Sequence, residues 1–479
     1  MKKKTLSLML AAALVLASGC SNKAELDNIS ISITDDNSKG VVTVDRNSDN
    51  TVTVSKIVTT DMAENATKVS DGDTITKAGT YILEGEYTHT VTIDADKEDD
   101  VILILNGANV TSEDGPAISA VKCNSLVISL SAGTVNTLTD AKEYADTSDS
   151  APTGALYSKN NLTVEGEGTL TVIGNAKHGI VSKDNLYING GTIEVSAQKD
   201  GLHAGDSLEI NGGTINIKES NEGIEAETIT VNNGTVTVNA KDDGINATSD
   251  EVTPVITFNG GTVTVNSAGD GLDSNGNIVL NGGFVCVSGA TNAGNAAVDY
   301  DGTFTADGGT LIASGMSGMY QSISKESGNY VIDYIGAETV KAGTTISLYD
   351  GETLICEAEI LKDANAILIT GDALENGKEY TLKLGDNSVS VTAGESSGQG
   401  FGGFGGQGGF GPGGNRGGFD GERPSGNFDK REAPEGSQGE PPEGFLREKP
   451  EGFDGNFPGD DNGNPGGEPP KGSEQESNR

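Results

Sequence analysis

The sequence predicts an all-β protein: a right-handed parallel β-helix, then a small β-module and a Gly/Pro-rich tail. Three observations predict it. Five segments of one pattern recur at intervals of about 22 residues. Apolar and polar residues alternate within each segment, the period-two mark of a half-buried strand. Glycine makes up 69 of 479 residues and Trp is absent, a composition that suits repeated turns and disfavours a helical bundle.

The chain opens with Lys2, Lys3 and Lys4, an apolar run from Leu6 to Leu16, and Ala17-Ser-Gly-Cys20. A basic start, a short apolar stretch and small residues describe a secretory leader, and the run is too short for a mature membrane span. A Cys directly after Ser-Gly resembles a bacterial lipobox, which implies a leader over 1–20 and lipidation at Cys20. The mature chain is then expected outside the cell, anchored to the cell membrane as a lipoprotein. Residues 21–59 read as a spacer with N-terminal strands.

The repeats define 60–325. They are Leu186-Tyr-Ile-Asn-Gly-Gly-Thr-Ile-Glu-Val, Leu208-Glu-Ile-Asn-Gly-Gly-Thr-Ile-Asn-Ile, Ile229-Thr-Val-Asn-Asn-Gly-Thr-Val-Thr-Val, Ile256-Thr-Phe-Asn-Gly-Gly-Thr-Val-Thr-Val and Ile278-Val-Leu-Asn-Gly-Gly-Phe-Val-Cys-Val. Looser copies start at Leu162 and Phe304. A second glycine accompanies each coil: Gly179, Gly201, Gly223, Gly244 and Gly271, each before Ile or Leu. Short strands with two glycine turns per repeat suit a solenoid whose coils stack at about 4.8 Å. Ile188, Ile210, Val231, Phe258 and Leu280 are expected to form one inward column; Val195, Ile217, Val238, Val265 and Val287 form another. The turn asparagines Asn189, Asn211, Asn232, Asn259 and Asn281 are placed to bond along the axis. A leucine-rich repeat would need helix signals these segments lack, and a propeller needs blades about twice as long.

Val101-Ile-Leu-Ile-Leu and Leu126-Val-Ile-Ser-Leu read as earlier coils, with a bulging loop over 139–153. Residues 326–395 read as a small β-sandwich-like module with turns at Asp350-Gly351 and Asn376-Gly377. Phe284, Cys286 and Ile312 fall on outward positions that earlier coils fill with polar residues, so the module is expected to cover them. From 396 to 479 the chain holds ten of its thirteen prolines, a composition that cannot bury enough apolar surface to offset chain entropy. Cys123, Cys286 and Cys356 have no disulfide or metal spacing and read as small apolar residues.

Formal charge is −40, which excludes a nucleic-acid surface as the main function. The charge is unevenly placed. Before the second-turn glycines stand His178, Asp200, Glu222, Asp243 and Asp270; two places after them stand Val181, His203, Glu225, Asn246 and Asp273, with Asp299 next. Stacked coils turn these into two neighbouring acidic columns. Charges about 5 Å apart repel by about 3 kcal/mol at an effective dielectric near 20, so such columns need full solvation or a cation. Hard oxygen donors in irregular array favour Ca²⁺; the plainer alternative is that Asp-Gly is simply good turn chemistry. Residues 242–324 contain no Lys or Arg, whereas Lys177 and Lys199 occupy equivalent places beside the first column. These two are candidate contacts for an anionic ligand; the alternative is a set of solvated lysines balancing nearby charge.

These coils, the Asp-Gly-Leu/Ile turns, and Ala78-Gly-Thr-Tyr-Ile-Leu-Glu-Gly through Leu105-Asn-Gly-Ala-Asn-Val resemble the β-helical carbohydrate-binding proteins of clostridial type. That family binds polygalacturonate and cellulose and is similar in fold to family 9 polysaccharide lyases. The resemblance covers about 60–320 and implies calcium ligands at Asp200, Glu222, Glu225, Asp243, Asp270, Asp273 and Asp299. Three function classes follow. The first is a non-catalytic, calcium-dependent carbohydrate-binding protein, a monomer that takes an acidic polysaccharide or cellulose, with Lys177, Lys199 and the aromatic faces of Tyr157 and Tyr187 as candidate carbohydrate contacts. The second is a calcium-dependent lyase acting by β-elimination, with Lys199 as base; carboxylates around a lysine oppose that role. The third is a structural surface adhesin. With three histidines, His89 lying outside the repeats, no serine–histidine–acid trio can be assembled.

Overall fold

The computed structural model describes residues 29–35, 38–46, 52–56, 63–148, 151–292 and 294–396. The expected leader over 1–20, with Cys20, and the tail beyond residue 396 lie outside the described residues. Strands Ile29–Asp35, Ser38–Arg46 and Val52–Lys56 pair antiparallel in chain order.

From Thr67 the chain winds as a parallel β-solenoid with three strand-bearing faces. The coil that begins at Leu186 shows the plan. Leu186–Ile188 lies on the first face, Asn189-Gly-Gly turns the corner, Thr192–Ala197 lies on the second, and Leu202–Ala204 lies on the third. The third face is a ten-stranded sheet running from Thr74–Ile75 to Val298–Tyr300. Each coil pairs parallel with the next in the register that the sequence repeats imply: Ile188 opposite Ile210, Ile210 opposite Val231, Val231 opposite Phe258 and Phe258 opposite Leu280. That column is at most 1% exposed, and the column from Val195 to Val287 is fully buried. Complete burial of such aliphatic side chains contributes about 1.5–3 kcal/mol each.

The corners explain the conserved spelling of the repeat within the chain. At the Asn-Gly-Gly corner, the asparagines form a ladder. Asn211 Nδ2 donates to Asn189 Oδ1 at 2.9 Å, Asn232 to Asn211 at 2.7 Å, Asn259 to Asn232 at 2.8 Å and Asn281 to Asn259 at 2.9 Å. The last glycine of that corner is left-handed; Gly234, for example, has φ +99°, and a Cβ there would sit 2.8 Å from the Gly213 carbonyl oxygen. Only glycine satisfies both constraints.

Thr310–Gly315, on the last coil, pairs antiparallel with Ala364–Gly371, which in turn pairs with Tyr330–Val340. The module therefore shares a sheet with the solenoid instead of merely leaning on it. A four-stranded antiparallel sheet, Thr353–Glu359, Thr345–Asp350, Glu379–Leu384 and Asn387–Thr392, completes it. Ile312 lies in one cluster with Ile332, Ile346, Ile367 and Ile369; Phe284 packs against that cluster, and Cys286 is 5% exposed. The outward apolar residues of the last coils are thus covered by the module, as their pattern predicts. Cys123, Cys286 and Cys356 are free and buried, and burial pushes each thiol up to about 11.

Candidate functional site

The corner between the second and third faces carries the acidic side chains. Its backbone is pinned coil to coil: Gly201 N donates to Glu222 O at 3.0 Å, Gly223 N to Asp243 O at 2.9 Å and Gly244 N to Asp270 O at 2.8 Å. The glycine is required by close approach, since a Cβ on Gly223 would lie 2.2 Å from Gly244 O. On the third face, His203, Glu225, Asn246, Asp273 and Asp299 are successive register partners. Both columns therefore stand side by side, one on the corner and one on the outward side of the adjacent strands.

Two carboxylate centres result. Asp200, Glu222 and Glu225 bring oxygens within 4.8 Å of one another, as do Asp243, Asp270 and Asp273. Asp299 is next in register to Asp273, and Gln321 donates to it from beyond the last coil. Backbone N–H groups hold the downstream centre: Asp270 N donates to Asp243 Oδ1 at 2.7 Å and Ala296 N donates to Asp270. At the upstream centre, Asn246 Nδ2 donates to Glu222 Oε2 at 3.0 Å. The Asn246 Oδ1 oxygen is buried without a hydrogen-bond partner.

Electrostatics follow the geometry. Burial, then the Asp243, Asp270, Asp299 and Asp301 charges, push Asp273 up to about 7. Burial raises Asp270 to about 6, opposed by the Ala296 N–H and reinforced by Asp243 and Asp299. Asp243 is raised for the same reason, burial first. Burial lifts Glu222 to about 7, with Asn246 opposing and Glu225 and Asp200 adding to it. Asp200 differs. Its burial is outweighed by hydrogen bonds from His178 and His203, which hold it below the ordinary carboxylate range.

The candidate sugar contacts are scattered. Lys177 and Lys199 are exposed on successive corners, with Lys199 N donating to Lys177 O at 2.8 Å, beside the upstream centre. Tyr187 is half-buried on the first face between Thr163 and Glu209, so the structure does not bring it to the acidic columns. Tyr157 corrects the sequence expectation. It is 4% exposed, in register with Ser119 and Val181, which are equally buried, and its ring offers no stacking surface. Sequence reasoning missed Gln321 and the Ala296 N–H, which lie outside the acidic pattern, and the Asp270 N–H, a backbone donor that a side-chain pattern does not report.

The sequence pattern of the family described as carbohydrate-binding domain-containing protein matches residues 71–254 and 226–376. A carbohydrate-binding domain-containing protein from Acetivibrio thermocellus is 32% identical over 200 residues, which is 41% of this chain and 65% of that protein. The chain therefore covers just under two thirds of that relative's length. A solved structure of a polysaccharide lyase-like protein from C. thermocellum, a gadolinium derivative, is 28% identical, with 53% of this chain and 92% of that one covered and a TM-score of 0.39. With the family pattern reaching from residue 71 to residue 376, over more than half its length, the chain belongs to the carbohydrate-binding domain-containing protein family.

Proposed function

We propose that this protein binds an acidic, polygalacturonate-like polysaccharide without cleaving it, through Ca²⁺ held on the outer corner of the solenoid. One observation carries the reading: Asp243, Asp270 and Asp273 converge within 4.8 Å where the surrounding stretch, 242–324, supplies no Lys or Arg. Three carboxylates raised by burial and mutual repulsion form a centre that is costly when ionised alone and favourable around a divalent cation. All-oxygen donors at irregular spacing fit Ca²⁺, which takes six to eight ligands, better than Mg²⁺ with its strict octahedron. Asp299 adjoins this set. Glu222 and Glu225, with the unpartnered Asn246 Oδ1, offer a second all-oxygen group; Asp200, also among the expected ligands, already accepts from two imidazoles.

A protein of charge −40 repels a polyuronate unless ions bridge the two. Bound Ca²⁺ with open coordination positions would accept uronate oxygens, and Lys177 and Lys199 would add direct contacts upstream. Binding of polygalacturonate to the full chain, titrated with and without Ca²⁺, tests the reading. Affinity is expected to fall to background in chelator, and equal affinity in both conditions sinks the mechanism. Release of unsaturated, ultraviolet-absorbing products would replace binding with β-elimination. We further place the chain outside the cell, tethered by lipid at Cys20, on the strength of the basic, apolar and Ser-Gly-Cys sequence order. Loss of lipid labelling in Cys20→Ala is the expected result.

A further inference from the structure

Upstream of the all-oxygen centre, the two columns begin with imidazoles. His178 stands on the corner one coil before Asp200, and His203 stands on the third face one coil before Glu225. His178 Nδ1 lies 2.9 Å, and His203 Nδ1 2.8 Å, from the same oxygen, Asp200 Oδ2. His203 Nδ1 is also 3.7 Å from Glu225 Oε2. The Asp200 side chain is 4% exposed and the two imidazoles are 17% and 19% exposed.

This is a different donor set from the downstream one. Imidazole nitrogens suit zinc, copper and nickel, whereas calcium takes oxygen. The spacing fits too. Around a tetrahedral Zn²⁺ with bonds near 2.0–2.1 Å, ligand atoms sit about 3.3 Å apart; the three donor atoms lie within 4.8 Å of one another, and the two contacts to Asp200 Oδ2 need to open by only about half an ångström. Two imidazoles thus share one oxygen of a carboxylate that has left water, and a single cation replacing the ring protons would hold all three groups.

We propose that His178, Asp200 and His203 form a site for a divalent transition-metal ion of the zinc class, separate from the all-oxygen groups downstream. The ion ties together two successive coils at the upstream boundary of the acidic columns. The inference goes beyond the calcium-dependent sugar reading and stands without it.

The test uses the full chain free of added histidines, stripped of metal and held in excess Ca²⁺ to occupy the all-oxygen centres. Equilibrium dialysis against Zn²⁺ is expected to retain one equivalent. His203→Ala and His178→Ala are expected to weaken that binding at least tenfold. His89→Ala should leave it unchanged, because the remaining histidine pairs with Asp71 on another part of the chain. Retention unchanged in a His178→Ala/His203→Ala double variant, or no Zn²⁺ retained by the unaltered chain, overturns the proposal. Co²⁺ bound to the unaltered chain supplies a readout that needs no variant. Ligand-field bands stronger than those of the aqueous ion support nitrogen–oxygen coordination at low coordination number, and the aqueous spectrum counts against it.

Discussion

Asp273 faces like charge on every side, from Asp243 and Asp270 at the corner to Asp299 and Asp301 on the next coil. Its ionisation therefore destabilises the metal-free fold, and it would stabilise the proposed Ca²⁺-bound one. Asp273→Asn should show both signs at once: a higher midpoint of thermal unfolding than the parent in chelator above pH 7, and a lower one in millimolar Ca²⁺, with Ca²⁺ affinity reduced at least tenfold by calorimetry. The pH dependence follows from the same groups. Glu222, Asp270 and Asp273 titrate near 7, 6 and 7 in the fold, above reference values of 4.5, 3.8 and 3.8. A raised folded-state value means stability that is complete below about pH 4 and lost as pH rises towards 7. His203 runs in the same sense in a later window: burial lowers it, but hydrogen bonds to Asp200 and Glu225 lift it from 6.5 to about 9, so its contribution is complete below about pH 6.5 and lost as pH rises to about 9. Thermal scans in chelator should thus show the contribution of the carboxylates falling between pH 4 and 7, while the increment from Ca²⁺ grows over the same interval. A Ca²⁺ increment independent of pH would mean these carboxylates are not the ligands. At this scale the columns were legible because a fixed period puts every twenty-second residue or so on one line. The burial of Tyr157 is not legible, because alternation reports which side of a strand a residue takes, not whether other chain lies over that side. Gln321 was invisible because it reaches Asp299 from beyond the repeats.

Each coil repeats the same two corners, and their chemistry explains why the element boundaries could be read from sequence. Asn-Gly-Gly places an amide that bonds to its neighbours above and below, then a left-handed residue, then the outward threonine of the second face. Gly234→Ala puts a side chain at φ +99° with its Cβ 2.8 Å from Gly213 O. A cost of about 1–3 kcal/mol is expected for that backbone strain, measured as a shift in denaturant midpoint. Asn232→Ala removes a ladder rung that Asn259 and Asn211 both use. Leaving part-buried amide groups unpaired costs about 1 kcal/mol, and Asn232→Asp, which keeps the acceptor for Asn259 but sets a carboxylate against Asn211 Oδ1, should cost at least as much. The elements outside the repeat were less legible. Ala364–Gly371 reads as an ordinary short strand, and nothing in its own residues says that its partner is Thr310–Gly315; only the misplaced apolar residues Phe284, Cys286 and Ile312 announced a cover.

The whole solenoid is quasi-one-dimensional, because each coil touches only the coils before and after it. Such an array would expose an open, apolar last rung, and the module closes it by pairing Ala364–Gly371 with Thr310–Gly315 and burying Ile312 against Ile369. Stabilisation injected at one place in a stack of this kind spreads only to its neighbours. The proposed Ca²⁺ ion at Asp243, Asp270 and Asp273 would link the coils that carry those residues, and through Asp299 it would reach the coil beside the module. Amide hydrogen exchange should then slow on adding Ca²⁺ for backbone groups from about Glu222 to Tyr300, with a smaller gain in Thr310–Gly315 and its partner strand. Coils from Val91 to Ser158, remote from both centres, should exchange at the same rate with and without the ion. Local opening energies differ along a protein in this way when cooperative units are contiguous. A uniform gain from Val91 to Tyr300 would instead mean that the solenoid and module open as one unit, and the corner carboxylates would then be stabilising the fold globally, not building a locally rigid face for a polymer.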